Sequence, residues 1–149
     1  MDNKCGSDDL LTFKVGDFNF GLNLCDIDAV IETDKIYLIP AIEDTEHEIC
    51  GTVSFKNQAV AVADTAKIFK ITTVATKEKI QRIAILAVGN RCLGLKLGSS
   101  VPTFFRSGES GESSSDDELF IKSSFHFSNK LIKIIDWRAI FDSSIQHLR

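Results

Sequence analysis

The chain has 149 residues, of which 44% are hydrophobic and 26% charged, with eleven phenylalanines and a formal net charge of −4. A chain this long buries about 70% of the surface it exposes when unfolded, so it can build a real core, and disorder throughout is excluded. The acidic balance, with no cluster of Lys and Arg, argues against a nucleic-acid partner, because affinity for phosphates rests on such clusters.

Residues 1–9, from Met1 to Asp9, are polar and acidic where a signal peptide would be basic and then apolar, and they read as a flexible tail. No apolar run approaches the roughly 20 residues needed to cross a bilayer. A cytoplasmic protein with no direct membrane insertion is the expectation. Short apolar alternations then recur between turn signals, which is the pattern of strands. Leu11 to Val15 and Phe18 to Leu24 flank the turn Gly16-Asp17 and predict a hairpin. Further strands are expected over Ala29–Ile31, Ile36–Ile39, Thr52–Phe55 and Ala59–Ala63. After a polar connector, Ile71 to Lys79, come Arg82–Val88, Arg91–Leu97, Leu119–Ile121, Ser124–Phe127 and Leu131–Ile135. Residues 106–118, rich in Ser, Gly, Asp and Glu, predict an acidic flexible loop.

The chain also repeats itself. Sliding it by 72 residues places Val53 on Phe125, Phe55 on Phe127, Asn57 on Asn129, Val62 on Ile134, Asp64 on Asp136 and Phe69 on Phe141. A slide of 73 places Val15-Gly16-Asp17-Phe18 on Val88-Gly89-Asn90-Arg91, and Gly21 on Gly94. Each unit reads strand, turn, strand, connector, strand, turn, strand, Asp, short helix. Closure into a small barrel is the economical solution for such a unit, since it leaves few open edges. The predicted fold is therefore all-β: two pseudo-repeated five-stranded SH3-like barrels packed together within one domain over residues 10–141. The first barrel is expected mainly over 10–75 and the second mainly over 80–141.

Few residues suggest chemistry. Asp64 and Asp136 are the most tempting carboxylates, but each ends a strand before a helical turn, where an Asp accepts the first free N–H groups as a cap. Their equivalence in the repeat separates them into different units. His47 and Cys50 have H-x-x-C spacing without the further ligands of a tetrahedral site, and no nucleophile motif or phosphate-binding loop accompanies His126 or His147. Catalytic, cofactor-binding and metal residues are all expected to be absent. Cys5, Cys25, Cys50 and Cys92 form no C-x-x-C pair and read as free thiols. Trp137, directly after Asp136, is expected to pack at a barrel end.

Gly51-Thr-Val-Ser-Phe-Lys-Asn-Gln-Ala-Val-Ala-Val-Ala-Asp64 resembles the signature G-V-x-N-L-R-G-x-V-V-P-V-I-D of the CheW family of chemotaxis coupling proteins. Phe18-Asn-Phe-Gly-Leu22 with Ile27-Asp-Ala-Val-Ile31, Leu93-Gly-Leu-Lys-Leu97 and Leu131-Ile-Lys-Ile-Ile-Asp136 are similar to its other motifs, in the same order. The resemblance implies a paired-barrel adaptor without catalysis or cofactor. Such a protein joins the cytoplasmic tips of chemoreceptors to the regulatory domain of a CheA-type histidine kinase, and is recruited with them to receptor arrays. It also implies that a receptor helix enters an apolar groove between the barrels while the kinase meets residues near a barrel rim. Carried onto this chain, the expected protein contacts are Ile27, Ala29, Val30, Lys56 and Asn57.

Three of the departures, at Ala29, Lys56 and Asn57, fall on those contacts. Lys56 replaces the family's Arg and Asn57 the following Gly, Ala29 stands where the pattern has Glu, Ala61 where it has Pro, and Gly98 where an Asp often follows. Lys keeps the charge of Arg but not its planar pair of donors. Partner choice is expected to differ from that of a standard member, and a divergent scaffold that binds without activating a kinase is the alternative implied. Lys56 in the first half corresponds to Ser128 in the second, an asymmetry that marks the first turn as the functional one.

Overall fold

The structure is a computed structural model that describes residues 9–33, 49–71, 81–98, 101–105, 113–115, 119–127 and 129–148. The expected strand Ile36–Ile39, His47, most of the connector, Ser128 and most of 106–118 lie outside the described residues. The strands are β1 (Leu10–Val15), β2 (Phe18–Asn23), β3 (Ile27–Thr33), β4 (Ile49–Phe55), β5 (Gln58–Asp64), β6 (Gln81–Val88), β7 (Arg91–Gly98), β8 (Thr103–Phe105), β9 (Ser113–Ser115), β10 (Ile121–Phe127) and β11 (Lys130–Ile135). A 3-10 turn, Leu24–Asp26, joins β2 to β3, and helices α1 (Thr65–Ile68) and α2 (Trp137–Leu148) follow β5 and β11.

Four hairpins carry the repeat. The two-residue turn Gly16-Asp17 has a positive φ at its first residue only, and Gly89-Asn90 has the same form, which matches the right-handed twist of the strands. At Lys56-Asn57 both residues are left-handed, with φ of 50° and 63°. That geometry is natural for Asn and strained for Lys. Replacing Asn57 by Gly should therefore leave the hairpin in place and raise stability by up to about 1 kcal/mol, read as a higher thermal midpoint. The bulges repeat as well: β4–β5 shifts register between Ile49 and Gly51, and β10–β11 between Ile121 and Ser123.

The sheets do not follow the two halves of the sequence. The six-stranded sheet runs β8-β1-β2-β11-β10-β9 and the five-stranded sheet β3-β6-β7-β5-β4. Each leading hairpin thus pairs with the closing hairpin of the other half, through β2–β11 with Ile134 opposite Gly21, and through β5–β7 with Val62 opposite Gly94. The assignment of one barrel to residues 10–75 and the other to 80–141 describes the repeat but not the membership of the sheets. A strand's alternation says which face is apolar and not which distant strand lies beside it.

Both sheets curl until their far strands meet. Phe105 of β8 lies 5.4 Å from Phe125 and 4.7 Å from Phe127 of β10, ring centre to ring centre, although β1, β2 and β11 separate these strands in the sheet. With Leu10, Ile132 and Ile134 they fill the six-stranded barrel. Ile31 of β3 packs with Val53 and Phe55 of β4, Val60, Val62, Ile83 and Ile85 to fill the five-stranded one. Between the barrels lies the largest cluster, including Phe13, Phe20 and Leu22 from one sheet and Leu86, Leu93, Leu95 and Leu97 from the other. Neither barrel is complete without that shared layer.

Several expectations are corrected in detail. Leu119–Ile121 and Ser124–Phe127 are not two strands, because residues 119–120 turn and β10 runs unbroken from Ile121. Ser113–Ser115, inside the segment expected to be loop, pairs with β10 through its backbone, which needs no apolar alternation. The second helix, expected to be short, runs from Trp137 to Leu148. Cys50 and Cys92 are free thiols, but Cys25 is disulfide-bonded; spacing in sequence does not reveal which distant cysteines meet.

Candidate protein-interaction surface

The two suspected carboxylates are caps. Asp64 Oδ1 accepts the Ala66 N–H at 3.0 Å, and Asp136 Oδ1 accepts the Ala139 N–H at 3.2 Å, so each satisfies a free donor at the start of its helix. Asp64 also pairs with Lys96 across β5 and β7 at 3.6 Å. Trp137 is buried at the barrel junction, and its indole N–H donates to Asp26 Oδ2 at 2.9 Å, while Arg138 reaches Asp26 Oδ1 at 3.4 Å. Asp26 thus ties the turn before β3 to the last helix. Among the described residues no group of three or more His, Cys, Asp or Glu is placed to hold a metal ion. No helix among them is long and apolar enough to cross a membrane.

The suspected contact residues come together on the five-stranded barrel. Ile27, Ala29 and Ile31 are half-buried in β3, whereas Asp28, Val30 and Glu32 alternate with them and point to solvent, with Val30 40% exposed. Ile27 packs against the shared layer between the barrels, and Ala29 lies opposite Ile85. Lys56 and Asn57 sit at the tip of β4–β5, on the far edge of the same sheet. Curling brings that tip to β3, where Lys56 Nζ lies 3.3 Å from Asp28 Oδ2 and 5.3 Å from the centre of the Phe55 ring.

Two residues that the sequence reading did not single out complete the surface. Asp28 is the partner of Lys56, and Glu32 pairs with Arg82 directly across β3–β6 at 3.1 Å. Period-two alternation in Ile27–Thr33 is the signal that could have placed Asp28 and Glu32 beside Val30. The result is one exposed apolar side chain between two ion pairs. Burial first, and then Asp28, pushes the Cys92 thiol up, and burial does the same at Cys50 with Asp64 adding and Lys96 opposing. Both thiols are thereby kept protonated and poorly nucleophilic. The arrangement offers shape and charge to a partner.

Comparison with known proteins agrees with this picture of the fold. A search of curated proteins returned no match. Among solved structures, the scaffolding protein TtCheW from Thermoanaerobacter tengcongensis aligns with a TM-score of 0.67 and 21% identity, over 85% of this chain and 87% of that one. At this identity the likeness speaks for the paired-barrel fold. The family model of the CheW-like domain matches residues 9–144, nearly the whole chain, and the protein therefore belongs to the CheW-like domain family.

Proposed function

We propose that this protein is a non-catalytic cytoplasmic adaptor that couples chemoreceptors to a CheA-type histidine kinase, with Ile27, Ala29, Val30, Lys56 and Asn57 at its contacts. The observation that carries this reading is the meeting of β3 with the Lys56-Asn57 turn at the Asp28–Lys56 pair, beside exposed Val30. An apolar centre rimmed by accessible charge is how protein interfaces are built. The kinase regulatory domain would engage this rim, and the receptor tip would lie along the seam between the barrels, where Ile27 joins the shared layer. Because the leading hairpins are exchanged, force or occupancy at the seam bears on both barrels at once.

Lys56→Glu tests this reading. The Lys56 and Asp28 side chains are 68% and 39% exposed, and a pair so exposed contributes at most about 1 kcal/mol, so the variant should fold. Its affinity for the kinase regulatory domain or the receptor tip should fall about tenfold or more, measured by calorimetry on the purified partners. Unchanged affinity for both removes Lys56 from the interface.

The second reading is a scaffold that holds a place in an array or another chemosensory pathway without activating a kinase. It is favoured by Lys56 being paired within the chain and by Ala29 standing in place of the family's Glu. Reconstituted kinase activity in the presence of receptor separates the two: activation supports the adaptor, and binding without activation supports the passive scaffold.

A further inference from the structure

Each half fastens its closing helix to the leading hairpin of the other half, and the two fastenings differ. In the first half Thr65, the residue after the cap Asp64, donates its hydroxyl to the Lys96 carbonyl at 2.6 Å, inside β7. Trp137 is its counterpart at the 72-residue offset and follows the cap Asp136. Its indole N–H reaches beyond the end of β2 to a side chain, Asp26 Oδ2 at 2.9 Å, while Arg138 takes Asp26 Oδ1 at 3.4 Å. A carbonyl within a paired strand is held by its ladder. A carboxylate past the strand's end moves with the segment that carries it.

That segment is the start of β3. The 3-10 turn Leu24–Asp26 has no buried residue, so polar and covalent ties hold it: Asn23 Oδ1 accepts the Cys25 N–H at 3.0 Å, Cys25 is disulfide-bonded, and Asp26 is gripped from α2. Asp28 falls at the break in the β3–β6 register between Ile27 and Ala29, where the ladder holds the strand least, and it pairs with Lys56. Two carboxylates therefore flank Ile27 and hold it from different elements, one from α2 and the other from the β4–β5 tip. They are unequal. Asp28 is 39% exposed and its ion pair with Lys56 is weak, whereas Asp26 is 15% exposed and accepts from the buried indole, a stronger, charge-assisted bond.

We propose that Asp26 is a positioning residue: held by Trp137 and Arg138, it sets the bulged start of β3 so that Ile27, Ala29 and Val30 stand in line with Lys56, and it couples that surface to the junction of the barrels. The proposal rests on β3 and the Lys56-Asn57 turn being the partner surface. Asp26 acts through the backbone of Ile27 and Asp28, with its own carboxylate turned to α2.

The full chain has one tryptophan, so fluorotryptophan labelling gives a single fluorine NMR signal that reports on this joint alone. In the free protein Lys56→Ala should shift that signal, although Lys56 lies at the β4–β5 tip and Trp137 on α2. An unmoved signal overturns the coupling. Affinities for the kinase regulatory domain and the receptor tip are measured by calorimetry on the wild type, Asp26→Asn and Asp26→Ala, well below their melting midpoints. Asp26→Asn keeps an oxygen acceptor for the indole and should bind within about threefold of the wild type, whereas Asp26→Ala should bind at least one partner about tenfold more weakly. If Asp26→Ala does not fold, Trp137→Phe, which loses the same hydrogen bond and keeps most of the packing, takes its place with the same loss expected. A lower melting midpoint with unchanged affinity for both partners makes Asp26 merely structural and overturns the proposal. Equal weakening by Asp26→Asn and Asp26→Ala also overturns it, because Asp26 would then be a charged contact of the partner itself. A wild-type chain that binds neither partner is a different result: it removes the adaptor reading and the positioning role with it, while the fluorine shift decides the coupling in either case.

Discussion

Trp137→Ala should destabilise the protein by about 3–5 kcal/mol, the largest single loss expected in this fold. Trp137 is only 2% exposed and belongs to the layer shared by the two barrels, so its removal opens a cavity that neither barrel can close alone. It also leaves Asp26, which receives the indole N–H at 2.9 Å, without that donor. The two contributions separate experimentally. Trp137→Phe keeps most of the apolar contact and loses the hydrogen bond, so it should cost about 1–3 kcal/mol. Urea unfolding of both variants is the measurement, and equal losses would mean that the hydrogen bond, not the packing, dominates.

Gly94→Ala should cost about 1–3 kcal/mol, while the same change at its counterpart, Gly21, should cost well under half as much. A Cβ on Gly94 would stand 3.0 Å from Ile83 Cγ2, 3.2 Å from Val62 Cγ2 and 3.4 Å from the Ala61 carbonyl oxygen. Branched side chains and backbone have little room to yield. At Gly21 the close neighbour is the tip of Ile134, Cδ1 at 3.0 Å, which can rotate away, and the next contact is at 3.5 Å. Both glycines sit where the exchanged hairpins join, Gly94 against β5 and Gly21 against β11. Equal midpoints for the two variants in thermal melting would show that the joint yields as readily in one barrel as in the other.

The sequence made local order plain and long-range order obscure. Alternation in Thr52–Phe55 and Ala59–Ala63, the left-handed tolerance of Asn57 and the capping position of Asp64 and Asp136 are properties of a few adjacent residues, and each is found as read. The internal offset of 72 then related the hairpins to one another. It could not say that the hairpins trade places, because pairing β2 with β11 depends on contacts between distant segments. The edge strand Ser113–Ser115 was invisible for a related reason: its pairing uses backbone groups that every sequence has. At the candidate surface, Lys56 and Asn57 stood out through their family motif, whereas Asp28 gained meaning only when the curl of the sheet carried it to Lys56.

The exchange of hairpins also sets the order in which the protein can be made. A ribosome releases β1 and β2 before the other described strands, yet the strand that β2 needs, β11, follows all of them. The five-stranded barrel can assemble once β7 has left the exit tunnel, because all its strands lie between Ile27 and Gly98. The first hairpin must wait, with Phe13, Phe20 and Leu22 uncovered or resting on the finished barrel, until the final hairpin arrives to close the second. Birth order and closing order run in opposite directions, and the hairpin of β1 and β2 is locked only after the strands that follow it.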